Sequence, residues 1–576
     1  MSDKVFYTNV DRFGNDILVR GYKNGKQFNK KIRYLPSLFV YANEKTPYRT
    51  LDGKYLHIKN PGTMKQCREY VQEIDTQNSP VYGNQNYVHQ FIAEAFEEEV
   101  VFDRSIINVT TVDIEVKSEE GFPKPEEAAY PVTAITVKNN IDDTFYTWGM
   151  GEYDKKKTIL ENTKIVYRQC ADEKELLTEF LLHWTTNYPD IITGWNSRLF
   201  DTVYLVNRLS RILGEDMMKR LSPWGSINGN TINIAGREHQ AYTVMGIQQL
   251  DYLDLFRKFG YSYGTQESYK LDHIANVVLG DKKIDYSEYG SLNDLYRENY
   301  QLFIDYNIKD VQIVDRLEDK MGLITLCMTV AYKAKVNMVE AMGSVGVWDA
   351  LIFNEFKRRG IVVPPKREIK KLRQIEGAYV KDPQNGMHDW VVSFDLNSLY
   401  PHIIMQYNMS PETIIDGSAS DVTVNKLLAN EQFNIPDDAC MSATGQYFST
   451  KVKGLMPTMV EQLYQERTVY KKKMLDAKQK LENIDKKDKK AVQAVEREIN
   501  IFENQQMAVK ILMNSLYGAM SNEFFRYYDI RIAESITVSG QLTIRWAERT
   551  INNWLNNLLK TNKDYVIAID TDSLYI

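Results

Sequence analysis

Cysteine is scarce: Cys67, Cys170, Cys327 and Cys440 lie far apart, with no paired spacing. That argues against a disulfide framework or a thiolate zinc site and points to a reducing cytoplasm. Histidine numbers only seven, again without metal-ligand spacing, so any catalytic metal belongs among carboxylates. No run of about 18 apolar residues exists, which leaves no transmembrane helix and no membrane partner. The opening Met1-Ser-Asp-Lys-Val-Phe-Tyr7 lacks the apolar stretch of a secretory signal. Net charge is small, −6, which argues against wholesale coating of nucleic acid but leaves room for local basic clusters that grip phosphate. Repeats and low-complexity segments are missing too.

What is present is length. A chain of 576 residues exceeds one core and predicts roughly three to five domains. Its 43% hydrophobic and 26% charged residues are ordinary for globular protein. The 37 tyrosines suit base stacking, and more commonly core filling. Residues 1–100 read as short strands broken by turns such as Asp52-Gly53 and Asn60-Pro61-Gly62. Strand patterns at 106–116 and 131–137 then precede helices over 173–184 and 201–213, an α/β arrangement ending near Leu323. A helical period from Ile324 to Arg359 leads into Val362-Val363-Pro364-Pro365, a boundary signal. From Pro457 to Met520 the pattern is a helical hairpin, with Asp485-Lys-Lys-Asp-Lys-Lys490 as its solvated tip. The last strand is expected over Tyr565 to Ile576, an edge without further neighbours that invites pairing.

Asp113 and Glu115 flank Ile114 in Val112-Asp-Ile-Glu-Val116. On a strand, positions i and i+2 share a face, so both carboxylates point one way and the three apolar residues the other. Like charges placed so repel unless a cation of the Mg²⁺ type sits between them; a solvent-facing strand with alternating acids would read the same. Two more features weigh against that plain reading. Gly194-Trp-Asn196-Ser-Arg-Leu-Phe200-Asp201 turns into a helix, and Tyr306-Asn-Ile-Lys-Asp310 sets Tyr306 and Asp310 on one helix face. Alone, Asp201 reads as a helix cap and Tyr306 as a half-buried ring.

A second set follows. Ser393-Phe-Asp395-Leu396-Asn-Ser398-Leu399-Tyr400-Pro401 is a strand entering a turn and helix; Asp395 ends the strand, and the turn's amides suit phosphate, with an N-cap as the rival reading. Lys510, Asn514 and Tyr517 form one helix stripe of charge, amide and ring, and Arg467 and Lys471 stand on the facing helix of the hairpin. Asp570-Thr-Asp572 ends an apolar strand with two carboxylates on one face.

In this order the two sets resemble the three exonuclease motifs and motifs A, B and C of the family B DNA polymerases. Ile511-Leu-Met-Asn-Ser-Leu-Tyr-Gly518, Phe525-Arg-Tyr-Tyr-Asp529 and Gly121-Phe-Pro123 resemble the replicases of T-even-type tailed phages in particular, and Glu376-Gly377-Ala378-Tyr379 stands where the family links exonuclease to palm. The resemblance covers essentially the whole chain. It implies an α/β multidomain fold: an N-terminal mixed β domain over 1–100 with 324–370 packing back on it, and a DnaQ-like, RNase H-like 3′→5′ exonuclease domain over 101–323. A palm over 371–456 and 523–576 and helical-hairpin fingers over 457–522 complete it. It further implies two Mg²⁺ ions per active site, with Mn²⁺ as a substitute. Asp113, Glu115, Asp201 and Asp310 would hold them in the exonuclease site, beside a water-orienting Tyr306. Asp395, Leu396 and Asp570 would hold them in the polymerase site, with Asp572 as the companion acid. Lys510, Arg467 and Lys471 would neutralise a triphosphate. Tyr400 would exclude a 2′-hydroxyl beside Leu396, Ser398 and Leu399, and Asn514 and Tyr517 would pack at the nascent base pair.

The implied partners are primer–template and single-stranded DNA, dNTPs, a sliding clamp, helicase or primase and a single-strand-binding protein, in the cytoplasm of an infected bacterium. Two departures stand out. Ala568-Ile569 occupy the place of the family's Tyr-Gly before the first aspartate of motif C, and the family's thumb and clamp-binding tail find no counterpart before Ile576. A shortened chain, a split gene with a complementary C-terminal polypeptide, or an interrupted coding sequence all fit. The other functional readings are an exonuclease whose polymerase half is inert alone and a non-catalytic nucleic-acid-binding scaffold. Retained, mutually repelling acids disfavour the scaffold.

Overall fold

The computed structural model of the chain describes residues 5–75, 79–117, 121, 123–161, 163–234, 236–367 and 373–576. Phe122 of the Gly121-Phe-Pro123 segment and the expected boundary at 370–371 lie outside the described residues. The chain forms two compact units. One comprises residues 1–36, 61–69 and 85–342; the other comprises 37–60, 70–84 and 343–576, so the division cuts across the first hundred residues.

The first unit is built on a six-stranded sheet. Its strands are β1 (Val109–Val116), β2 (Val132–Asn139), β3 (Phe145–Gly149), β4 (Ile165–Gln169), β5 (Ile191–Thr193) and β6 (Gln248–Gln249), in the order β4-β3-β2-β1-β5-β6. β1 runs antiparallel to β2 and parallel to β5. Both faces are covered, which is why β1, β2, β3 and β5 are buried almost throughout. Val112 and Ile114 join Val137, Trp148, Phe180 and Tyr204 on one side, the side of helix α1 (Asp201–Leu213). Ala134, Phe145, Phe303, Ile304, Ile308 and Val311 fill the other, beneath helix α2 (Tyr300–Met321). The alternation on β1 therefore aims Asp113 and Glu115 at α2. The N-terminal three-stranded sheet (Val5–Phe13, Asp16–Lys23, Lys26–Arg33) is tied in by buried charge. Arg20, 1% exposed, lies 3.6 Å from the fully buried Asp190 and donates to the Pro189 carbonyl, while Tyr22 donates to Asp190.

The second unit centres on a four-stranded antiparallel sheet of β7 (Val380–Lys381), β8 (Ser393–Asp395), β9 (Ala568–Asp570) and β10 (Ser573–Tyr575), ordered β7-β9-β10-β8. The single strand expected over 565–576 is instead a hairpin. Asp570 and Ser573 pair directly, Thr571 adopts φ 57°, and Asp572 N–H donates back to Asp570 O at 2.6 Å. Two-residue turns of this kind demand positive φ, so Asp572 sits in the turn and not on the strand face expected for it. The terminal strand is also not an edge, because β10 pairs on both sides. Helix α3 (Leu399–Gln406) packs on α4 (Leu455–Asn483), α5 (Lys489–Met520) and α6 (Ile530–Leu559). The helical hairpin is α4 and α5, broken at 484–488 where the charge-rich tip was expected, with Pro457 in the first turn of α4. No helix among the described residues is long and apolar enough to cross a membrane.

Candidate active sites

Among the described residues, one group of carboxylates converges as metal ligands do: Asp113, Glu115 and Asp310, with an oxygen from each within 4.8 Å of the others. β1 supplies the first two and α2 the third. Burial raises all three above ordinary carboxylates, and repulsion from Asp310 adds to it for Asp113 and Glu115. Asp113 is pushed well up by burial and then by Asp310, Asp201 and Glu115, and Glu115 is raised to about 8. Asp310 is raised by burial against the pull of Lys283, and its Oδ1 is buried without a hydrogen-bond partner. Three hard oxygen donors, destabilised by one another and with a lone pair unspent, fit a divalent cation.

Asp201 is close enough to perturb Asp113 but is committed elsewhere. At the start of α1 its Oδ1 accepts the Ile114 N–H at 3.0 Å, and burial raises it to about 7 against that bond. The turn before it, at Asn196 with φ 64°, is pinned by Asp251, which accepts from the amides of Asn196 and Arg198. Tyr306 stands one turn from Asp310 on α2, as expected. Lys283 was not expected. It lies in the loop after the helix at Leu271–Leu279, its Nζ 2.5 Å from Asp310 Oδ2 and 2.8 Å from the Tyr306 hydroxyl. Burial works against its charge, but Asp310 and Tyr306 outweigh that and hold it protonated. Nothing in its local sequence marks it, since Asp281-Lys-Lys-Ile reads as a solvated turn.

In the second unit, Asp395 and Asp570 both lie opposite Ser573, one on each side of β10. Cross-strand partners share a face, so the two carboxylates project from the same side of the sheet. Asp572 hangs over them from the turn, raised by burial and by Asp395 and Asp570. Its carbonyl accepts the Leu396 N–H at 2.7 Å, which ties the two strand ends together. Ser398 enters α3 at φ 54°. Leu399 is buried, and the Tyr400 ring lies 4.8 Å from that of Tyr517 of the α5 stripe, tilted at 53°. Lys510 is half-buried and Asn514 exposed on α5. On α4 Lys471 is exposed, whereas the Nε of Arg467 is buried with no hydrogen-bond partner. Ile569, standing where the family has glycine, is buried with Ile544, Val566 and Leu574, away from the acids.

Residues 337–576 match the sequence profile of DNA polymerase family B, and residues 55–274 that of the DNA polymerase family B exonuclease domain. The DNA-directed DNA polymerase of Enterobacteria phage T4 is 31% identical over the whole of this chain and 69% of its own length. That of Escherichia phage RB69 is 32% identical with the same coverage. The chain belongs to the family B DNA polymerases. It carries the family's exonuclease domain along with its polymerase domain. More distant members align too: the DNA polymerase delta catalytic subunit of Candida albicans is 25% identical over 82% of this chain and 44% of its own. The matched polymerase segment contains Asp395, Lys510 and Asp570. The matched exonuclease segment contains Asp113, Glu115 and Asp201, while Lys283, Tyr306 and Asp310 follow it in sequence; α2 returns Tyr306 and Asp310 to it, and Lys283 joins them through its contacts with both.

Proposed function

We propose that this polymerase is a replicative enzyme of the phage type, with the Asp113 cluster as its 3′→5′ proofreading site and the Asp395–Asp570 pair as its synthetic site. The convergence of Asp113, Glu115 and Asp310 is the observation that carries the proposal. Asp113, Glu115, Asp201 and Asp310 would hold two Mg²⁺ ions in the first site, and Asp395, Asp570 and the Leu396 backbone would hold two in the second. Bound there, the metal supplies Lewis acidity, lowering the pKa of a water and neutralising charge on the leaving oxygen. In the proofreading site Tyr306 orients the water, and Lys283 fixes the Tyr306 hydroxyl and adds positive charge beside the phosphate.

In the synthetic site Arg467, Lys471 and Lys510 bind the triphosphate, and the unpaired Nε of Arg467 fits an anionic ligand. Tyr400, against Tyr517, closes the space a 2′-hydroxyl would need. Ser398 and Leu399 shape that pocket, and Asn514 reads the nascent pair. We assign palm to 371–456 with 523–576, fingers to 457–522, exonuclease to 101–323, and an N-terminal domain to 1–100 with 324–370. The chain matches 69% of the length of each phage relative, and we propose clamp, helicase and single-strand-binding protein as further partners. The decisive assay is primer extension and degradation with and without dNTPs, comparing the chain with Asp113→Ala/Glu115→Ala and with Asp395→Ala. Digestion of single-stranded DNA surviving intact in the first variant, or extension surviving in the second, would refute the respective assignment.

A further inference from the structure

A line of buried polar side chains crosses the face of the sheet that is otherwise filled by aliphatic and aromatic residues. Asp113, Thr136 and Thr147 are register partners on β1, β2 and β3. Thr136 and Thr147 are fully buried, and so is Asn307, which comes down on them from α2 between Tyr306 and Asp310. Thr136 Oγ1 donates to Asn307 Oδ1 at 2.5 Å, and Asn307 Nδ2 donates to Asp113 Oδ2 at 2.7 Å. Thr136 has one hydroxyl proton and spends it on Asn307, so the 2.9 Å contact between Thr136 and Thr147 runs from Thr147 to Thr136. The chain Thr147→Thr136→Asn307→Asp113 thus has a single direction. An amide is ambiguous by itself, since either end could face the carboxylate; an ionised Asp113 can only accept, so Asn307 turns its Nδ2 to it and its Oδ1 to the Thr136 hydroxyl, which donates in keeping.

We infer that Asn307 is a positioning residue of the exonuclease site. It ties back one oxygen of Asp113, and Thr136 and Thr147 hold its amide the right way round, leaving the other oxygen to face Glu115 and Asp310. Buried polar groups on an apolar face are retained at a cost unless each is satisfied, and this set is satisfied only with the carboxylate at its end. Partners of this kind fix a ligand's orientation without touching the metal, and losing one typically weakens metal affinity about 10- to 100-fold. The inference rests on the reading of Asp113 as a metal ligand.

The test is Mn²⁺ binding to the whole chain, by calorimetry in the absence of DNA, with Asp113→Ala as the control. Asn307→Leu should weaken the Asp113-dependent Mn²⁺ site by about 10- to 100-fold. Its exonuclease activity should recover at raised Mn²⁺ with an unchanged KM for single-stranded DNA. Thr136→Val, isosteric but unable to donate, should weaken the site several-fold, whereas Thr136→Ser, which keeps the hydroxyl, should restore it. If Asn307→Leu does not fold, the Thr136 pair decides. Unaltered Mn²⁺ affinity in folded Asn307→Leu or Thr136→Val overturns the inference, as does equal weakening by Thr136→Ser, which would make the role one of packing. A parent chain with no Asp113-dependent Mn²⁺ binding would instead defeat the metal reading, and the inference with it.

Discussion

Three carboxylates crowded beneath a helix give the molecule a charge problem that titrates. Glu115 is raised from 4.5 to about 8, chiefly by burial and then by Asp310. The folded chain therefore keeps protons that the unfolded chain has released over that interval. Folding then loses ground as pH rises through the window. The melting temperature of metal-free protein should fall between pH 4.5 and about 8, and the rise in melting temperature on adding Mn²⁺ should grow over the same range, because binding replaces those protons. A flat metal increment across that range would mean the carboxylates do not share a cation. The Asp113→Ala/Glu115→Ala chain should fold normally, its pH-dependent loss of stability lessened, with the burial-raised Asp201 and Asp310 leaving a remainder. In the other unit, Lys510→Ala should raise the KM for dNTP roughly 10- to 100-fold, the loss of a charge-assisted phosphate contact of about 1.5–3 kcal/mol, with duplex affinity little changed. Steady-state kinetics beside a DNA-binding titration separates the two. At this scale the acids were legible in the sequence because i, i+2 and i, i+4 spacings dictate which side chains share a face. Lys283 was not, since its role arises from a loop meeting α2, a contact with no local pattern.

Among the elements, α6 and α3 meet without clearance. A Cβ on Gly540 of α6 would stand 2.9 Å from Cε1 of Tyr400, closer than such atoms approach, so the ring must move. Gly540→Ala should displace Tyr400 from Tyr517 and lower the preference for dNTP over rNTP, read as the ratio of incorporation efficiencies. An unchanged ratio would remove Tyr400 from sugar selection. A second constraint joins α6's leading loop to the helix at Ser344–Arg359, where Arg526 and Asp349 form a buried pair, 3% and 6% exposed, at 2.7 Å. Asp349→Ala leaves the guanidinium buried and unpaired and should cost about 3–5 kcal/mol by denaturant unfolding. The helices were readable from periodicity, and α1 has the bounds expected for it. The terminal hairpin was not readable. Among the described residues with positive φ, Thr571 is the one β-branched side chain, and propensity alone argues against a turn there. The pairing of β10 with both β9 and β8 overrides it.

For the molecule as a whole, the two candidate sites are segregated by unit. Asp113, Glu115, Asp201, Lys283, Tyr306 and Asp310 all belong to the first, and Asp395, Asp570 and Asp572 to the second. Asp395→Ala or Asp570→Ala should therefore abolish primer extension while leaving digestion of single-stranded DNA at its original rate. Parallel loss of both activities would contradict separate sites.

The family, the order of its motifs, the carboxylates and the helical hairpin were all determined by the sequence alone, because each depends on residue type and on spacings that local backbone geometry converts into shared faces. Tertiary structure decided the rest. It set which acids come within reach of one another, the turn that holds Asp572, the lysine beside Asp310, and the threonine–asparagine line behind Asp113. These depend on residues far apart in sequence meeting across a sheet or beneath a helix. Strand register and helix packing set such distances, and no local pattern encodes them.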